Sequence, residues 1–295
     1  MGFGSLAFFE PIMSHSIAIT TCQTYPNLPD NLQPLIRLLQ ANGLQVKVDC
    51  WQNRPQADVI LPLCAWDYAQ QPECFRQWLQ QAVEFGQKFA NPVQLMDWNM
   101  HKSYLLDLQQ MGVDVIPSQL LLADLDQIQT ACQPYHQNGQ AVVSKPAIGQ
   151  SGNAVIKWQA DQPIPDFSPY LGQQIVLQPY IKEVAENGET SLIFFAGEFS
   201  HAVRRQPPKG EWRANSAYGV AILPVVPPQN IVRQARDVLM RLPEMPSYAR
   251  VDGTIIGDRF LLNELELIEP ALYLHTDSQA AVRFAQLLMQ KTIEI

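Results

Sequence analysis

The stretch Tyr248 to Pro270 constrains this chain more than any other. It reads Tyr-Ala-Arg-Val-Asp-Gly-Thr-Ile-Ile-Gly-Asp-Arg-Phe-Leu-Leu-Asn-Glu-Leu-Glu-Leu-Ile-Glu-Pro. Two β-branched or apolar runs flank Gly257-Asp258, which predicts a hairpin. Alternation in the second run puts Leu262, Glu264, Glu266 and Ile268 on one face, with Asn263, Leu265 and Leu267 on the other. In the first run Tyr248, Arg250 and Asp252 share a face. Pairing the runs gathers Asp252, Glu264 and Glu266 on an otherwise apolar sheet, where like charges repel and desolvation is costly. A divalent cation resolves that conflict. Oxygen ligands with no His or Cys beside them point to Mg²⁺ or Mn²⁺, and Mg²⁺ commonly arrives with substrate phosphates. The competing reading is an edge strand carrying solvated acids.

Composition narrows the field. At 295 residues the chain is long enough for two or three packed units. A hydrophobic content of 47% with 16% charged residues fits a globular protein rather than a disordered one. The net charge of −8 and pI near 5.1 argue against nucleic acid as a partner. Cys22, Cys50, Cys64, Cys74 and Cys132 show no metal-ligand spacing, so free thiols in a reducing compartment are expected. The apolar patch Leu6 to Phe9 lacks a basic leader and is too short to span a bilayer; no membrane partner and a cytoplasmic location are expected. Residues 1–13 read as an extension, with Met13 an alternative start.

In chain order, Ile17–Thr20, Leu44–Val48 and Asp58–Leu63 have strand patterns. Asp30–Ala41 and Glu73–Phe85 have helical spacing between them. Such alternation predicts a small Rossmann-like unit ending near Pro92, without the G-x-G-x-x-G that dinucleotide binding would need. Next, Asn99 is expected to cap a helix running to Met111, with Lys102 as its third residue. A cation there opposes the helix dipole unless an anion shares the site, so phosphate contact and plain solvation are both open.

Ala141–Lys145 predicts a strand, and Val155–Trp158 another. Between them Gly149-Gln150-Ser151-Gly152-Asn153-Ala154 has the backbone freedom to cover phosphates, although a mobile surface turn reads equally well. Ile175–Ile181 follows as a strand, then a hairpin of Thr190–Phe195 and Phe199–Arg204. Arg204, Arg205, Lys209, Arg213 and Asn215 make a basic cluster suited to an anionic substrate, with scattered solvated arginines as the alternative. Asn230–Leu242 and Ser278–Lys291 read as amphipathic helices. Pro224–Pro228 and Pro243–Pro246 read as rigid connections.

Taken together, Trp98-Asn99-Met100-His101-Lys102-Ser103-Tyr104-Leu105, Lys145-Pro146 with its flap, Phe199 to Arg204 and Tyr248 to Pro270 occur in the order seen in ATP-grasp ligases. The resemblance covers nearly the whole chain from Met13. It is greatest to the subgroup containing the cycloserine-forming cyclo-ligase, with glutathione synthetases and a ribosomal-protein glutamate ligase as cousins. It implies an α/β fold (α+β in the C-terminal part). The expected division is 14–98, a Rossmann-like pre-ATP-grasp domain; 99–180, a lid subdomain; and 181–295, the metal-bearing catalytic subdomain.

The same resemblance implies that Lys102 and Lys145 contact ATP phosphates under the flap of Gly149, Gln150, Ser151 and Gly152. Gln178, Tyr180 and Ile181 would line the adenine slot, and Glu183 or Glu189 would accept from the ribose. Asp252, Glu264 and Glu266 would hold Mg²⁺. Arg213 and Asn215 would reach the transferring phosphoryl group or the carboxylate, and Arg250 is a further candidate for phosphate contact. The implied reaction is carboxylate–amine (or cyclo-) ligation through an acyl phosphate, on an amino-acid-like or peptide-like small molecule. A glutathione-synthetase-type peptide ligase and a non-catalytic nucleotide-binding protein are the alternatives. A homodimer is in keeping with the family. The chain departs from it at Glu266, where many relatives have Asn. It departs again at Leu63-Cys64-Ala65, which replaces a polar run, and at Gly219-Val220, which replaces a glycine pair.

Overall fold

A computed structural model describes residues 15–293; the readings on Met1–Met13 lie outside these residues. β1 (Ser16–Thr21), α1 (Gln33–Ala41), β2 (Gln45–Cys50), β3 (Val59–Leu61), α2 (Pro72–Glu84) and β4 (Lys88–Phe89) build a parallel sheet of order β2-β1-β3-β4. Buried strands pair with helices that present one apolar stripe each: Leu35, Ile36 and Leu39 on α1, and Phe75, Trp78 and Leu79 on α2. The parallel βαβ expectation is met, with β4 too short to leave a periodicity.

Helices α3 (Val93–Asn99) and α4 (Tyr104–Gln110) come next. They correct the expectation of one helix capped by Asn99. Asn99 closes α3, and its buried amide donates to Leu265 O (2.8 Å) while its oxygen accepts from Leu267 N (2.9 Å). Lys102 therefore sits in the turn between two helices and not in the first turn of one.

The second sheet contains β5 (Gln119–Leu122), β6 (Val142–Pro146), β7 (Ile156–Trp158) and β8 (Gln174–Pro179), all antiparallel in the order β5-β8-β6-β7. Between β5 and β6 runs α5 (Leu125–Gln137), whose Asp124 cap accepts from Asp126 N and Gln127 N. Its polar composition and internal Pro134 hid it from the sequence pattern. Ile128 and Cys132 of α5 pack on Val142, Ile175 and Leu177, so this sheet buries one face under its own helix. The other face carries Val143, Lys145 and Gln178 into a cleft.

After α6 (Lys182–Asn187), β9 (Glu189–Phe195), β10 (Glu198–Gln206), β11 (Ala221–Val225), α7 (Gln229–Met240), β12 (Tyr248–Ile256), β13 (Arg259–Glu266) and α8 (Ala280–Ile293) complete the chain. The strands form an antiparallel sheet of order β11-β10-β9-β12-β13. Pro224, expected in a connection, lies inside β11 opposite Val203, where an edge strand tolerates its missing N–H. Leu192, Phe194, Ala249 and Val251 pack one face of this sheet on α4 and α7. Ile193, Phe195, Val203 and Tyr248 join the opposite face to α8 and to Leu35 and Leu39 of the first unit. Asn91 ties the first unit to the third sheet, accepting from Ser247 N (2.7 Å) and Tyr248 N (3.1 Å) and donating to Tyr248 O and Leu267 O (2.8 Å each).

Candidate active site

β12 and β13 pair as expected, with Arg250 opposite Glu266 and Asp252 opposite Glu264. Ligand oxygens of Asp252, Glu264 and Glu266 lie within 4.8 Å of one another. The register then slips between Asp252 and Gly253, and Gly253 faces Leu262. This bulge reverses the alternation that simple counting gave. Leu262, expected beside Glu264, instead packs in the same apolar cluster as Phe260, Leu265 and Leu267. The extra residue, Asn263, joins Glu264 in the cleft. Gly253 is required at the slip: a Cβ there would lie 2.5 Å from the Phe260 ring and 2.6 Å from Leu261 O.

Buried guanidinium groups balance the acids. Asp252 accepts from Arg205 Nη2 (2.8 Å) and Arg250 Nη2 (2.9 Å). Arg205 also bonds Glu189 (2.8 Å), and Arg250 bonds Glu266. Burial works against the Asp252 carboxylate, but Arg205 and Arg250 outweigh it and hold its pKa below the ordinary value. For Glu264, burial is likewise outweighed, by Lys102 and Lys145. Burial prevails at Glu266, with Arg250 opposing, and its carboxyl is pushed up to about 7. Further along the strand's exit, burial and the neighbouring Glu266 push Glu269 well above the usual carboxylate range. Arg250, expected to contact phosphate, spends its guanidinium on Asp252, Glu266 and Ala271 O (3.2 Å) in this conformation. Arg205, expected in a basic cluster for an anionic substrate, likewise pairs with Asp252; only the pairing of β9, β10 and β12 brings it there.

Lys102 and Lys145 converge on this cluster. Lys102 Nζ bonds Glu264, and Lys102 N donates to Ala147 O (2.7 Å), beside the flap. Burial disfavours the Lys102 ammonium, yet Glu264, with Glu266 and Glu269 behind it, keeps its pKa above the normal value. Lys145 Nζ bonds Asn263 Oδ1 (2.8 Å); burial, reinforced by Lys102 and opposed by Glu264, draws its pKa down.

The same cleft is lined by Gly149, Gln150, Ser151, Gly152, Gln178, Tyr180, Ile181, Glu189, Arg213 and Asn215. Glu183 lies on α6 outside that lining, whereas Glu189 lines it but is held by Arg205 and by Asn263 Nδ2 (2.5 Å). Glu189 would thus have to give up those partners to accept from a ribose. Arg213 stacks 3.5 Å over the Tyr218 ring, and its fork is taken by Glu211 (2.9 and 2.8 Å), whose pKa these bonds lower to about 2. Tyr218 Oη donates to Gly152 O (3.0 Å), which brings the flap against the arginine loop. Asn215 Oδ1 stands 2.5 Å from where a Cβ on Gly152 would be, and that glycine has φ +69°.

The oxygen-only donor trio fits a hard divalent cation. The lysines, the glycine flap and a slot closed by Tyr180, Ile181 and Trp212 suit a nucleoside polyphosphate.

Comparison with known proteins agrees with this geometry. Residues 17–91 match the D-cycloserine synthetase N-terminal domain family, and residues 106–243 match the ATP-grasp domain of prokaryotic glutathione synthetase. The cycloserine biosynthesis protein DcsG of Streptomyces lavendulae is 25% identical over 88% of this chain and 93% of its own. The crystal structure of D-cycloserine synthetase DcsG superposes with a TM-score of 0.79 at 24% identity, over 94% of this chain and 99% of the other. D-alanine–D-alanine ligase from Bacillus anthracis superposes at 0.61 with 14% identity, over 95% and 96%. Fold and site define an ATP-grasp ligase. Within that class the chain stands close to the cycloserine synthetase group. Among the described residues, no helix is long and apolar enough to cross a membrane.

Proposed function

We propose that this enzyme uses ATP and Mg²⁺ to join the carboxylate of an amino-acid-like or peptide-like substrate to an amine, through an acyl phosphate. The single observation that carries the reading is that Asp252, Glu264 and Glu266 gather around one point while Glu264, Lys102 and Lys145 together line one cleft. In this reading 14–98 form a wall of the acceptor site, 99–180 the lid, and 181–295 the base that holds the acids.

Phosphoryl transfer needs positioning and charge neutralisation rather than an enzyme nucleophile. Bound at the acids, Mg²⁺ would neutralise phosphate charge and orient it. Lys102 and Lys145 neutralise phosphate oxygens from the flap side, and Asn263 orients Lys145. Arg205 and Arg250 hold Asp252 ionised and in place. The flap, latched through Gly152 to Tyr218, excludes water from an acyl phosphate that water would otherwise hydrolyse. The substrate's amine then attacks the activated carbonyl and phosphate leaves. Arg213 meets the substrate once Glu211 releases its fork.

The test is ADP release across paired amino acids and short peptides. ADP formation is expected to require both a carboxylate and an amine, and to fall at least about a hundredfold in Glu264→Ala and Lys145→Ala. Normal turnover in a folded Glu264→Ala protein would remove the metal assignment. Stabilisation by nucleotide with no ADP formed across the panel would instead make this a non-catalytic nucleotide-binding protein.

A further inference from the structure

We propose that Ser118 sets the base selectivity of the cleft, by fixing the Gln178 amide so that its oxygen and not its NH₂ faces the nucleotide. The inference rests on the nucleotide reading above and adds a residue that makes no contact with the base itself.

Hydrogen-bond polarity carries the argument. Ser118 Oγ donates to Ile116 O at 2.7 Å. A hydroxyl has one hydrogen, so its remaining bond to Gln178 at 2.8 Å runs from Gln178 Nε2 to Ser118 Oγ. The NH₂ end of the amide is thereby committed, and Oε1 is turned away from Ser118.

Strand geometry says where that oxygen points. On β8, Ile175 and Leu177 face the lid core, while Gln178 pairs across to Val143 on β6; both line the cleft, with Ile116 beside them. Gln178 is only 2% exposed and lines the cleft, with its NH₂ end held by Ser118. An acceptor turned toward the cleft favours a ligand that brings a donor. The neighbouring Tyr180 N does not take part in this recognition, because it already donates to Ala141 O (2.8 Å).

Adenine presents an amino donor at C6, where guanine presents an oxygen acceptor. An oxygen-facing Gln178 pairs with the first and repels the second. Without Ser118 the amide is free to turn over and accept either base.

The experiment measures dissociation constants for the β,γ-imido analogues of ATP and GTP, with Mg²⁺, by titration calorimetry on the full chain. Wild type is expected to prefer the adenine analogue by more than tenfold. Ser118→Ala should cut that preference by about tenfold, the order of one neutral hydrogen bond. Ser118→Thr, which keeps the hydroxyl, should retain it. Ser118→Ala with an unchanged preference and an unchanged melting temperature would overturn the proposal, as would equal binding of both analogues by wild type. If wild type bound neither analogue, the ligase reading itself would fall.

Discussion

Glu266 shows at the scale of one residue how this site couples charge to binding. Its carboxyl is pushed up to about 7 by burial, against the pull of Arg250 and Arg205 and with Asp252 and Glu264 adding repulsion. A raised carboxyl pKa means the folded protein keeps a proton through the window from the ordinary value up to about 7, and cation binding must displace it. Mg²⁺-dependent ADP binding is therefore expected to weaken by about tenfold per pH unit below 7 and to level off above it. Calorimetry between pH 6 and 8 checks this, and Glu266→Gln should flatten the profile. The acid itself was legible in the sequence, because period-two alternation is a local property. Its raised pKa was not, since burial sets it and the opposing guanidinium groups and neighbouring acids come from β10, β12 and β13 together.

At the scale of the element, the β12–β13 hairpin combines a turn any reader would find with a slip no reader would. Gly257, at the turn with φ +60°, has open space around its α-carbon, while Gly253 is pressed against Phe260 and Leu261. Gly253→Ala is expected to cost about 1–3 kcal/mol by overpacking, and also to abolish stabilisation by Mg²⁺–ADP. The second effect follows because relief of the clash moves Asn263 and Glu264. Gly257→Ala should cost about 1–2 kcal/mol from backbone strain alone and leave Mg²⁺–ADP binding intact. Urea titrations with and without Mg²⁺–ADP separate the two outcomes. Equal loss of nucleotide binding in both variants would show that the bulge has no special part in the site.

The whole molecule is held at its site by a few buried joints. Asn91 bonds the start of β12 and Leu267 just past β13, and Asn99 bonds Leu265 and Leu267 at the same exit, so the first unit and α3 set where that hairpin ends. Asn91→Ala leaves several buried backbone groups without partners and is expected to cost at least about 3 kcal/mol, read from the urea midpoint. A cost within about 0.5 kcal/mol of zero would mean that α8, packed between the sheet and α1, holds the units together by itself. The Rossmann-like unit, the β6–β7 hairpin and the β12–β13 hairpin were each legible, because their apolar patterns are local. α5 and β11 were not: the first is polar with an internal proline, and the second contains Pro224 on a sheet edge.

The chain's own order of residues determined that three acids, two lysines and a glycine flap would exist, and in what elements, since turns and alternation act over a few residues. Tertiary structure decided which partners they meet. It paired Arg250 and Arg205 with Asp252, moved Lys102 off a helix start, slipped Asn263 into the cleft and bound Gln178 to Ser118. Those outcomes depend on cross-strand register and on partners more than a hundred residues apart in some cases, as for Lys145 and Asn263, separated by 118 positions. A local pattern carries no information about such pairings, because charge neutralisation and hydrogen-bond polarity are settled only when the groups share a buried space.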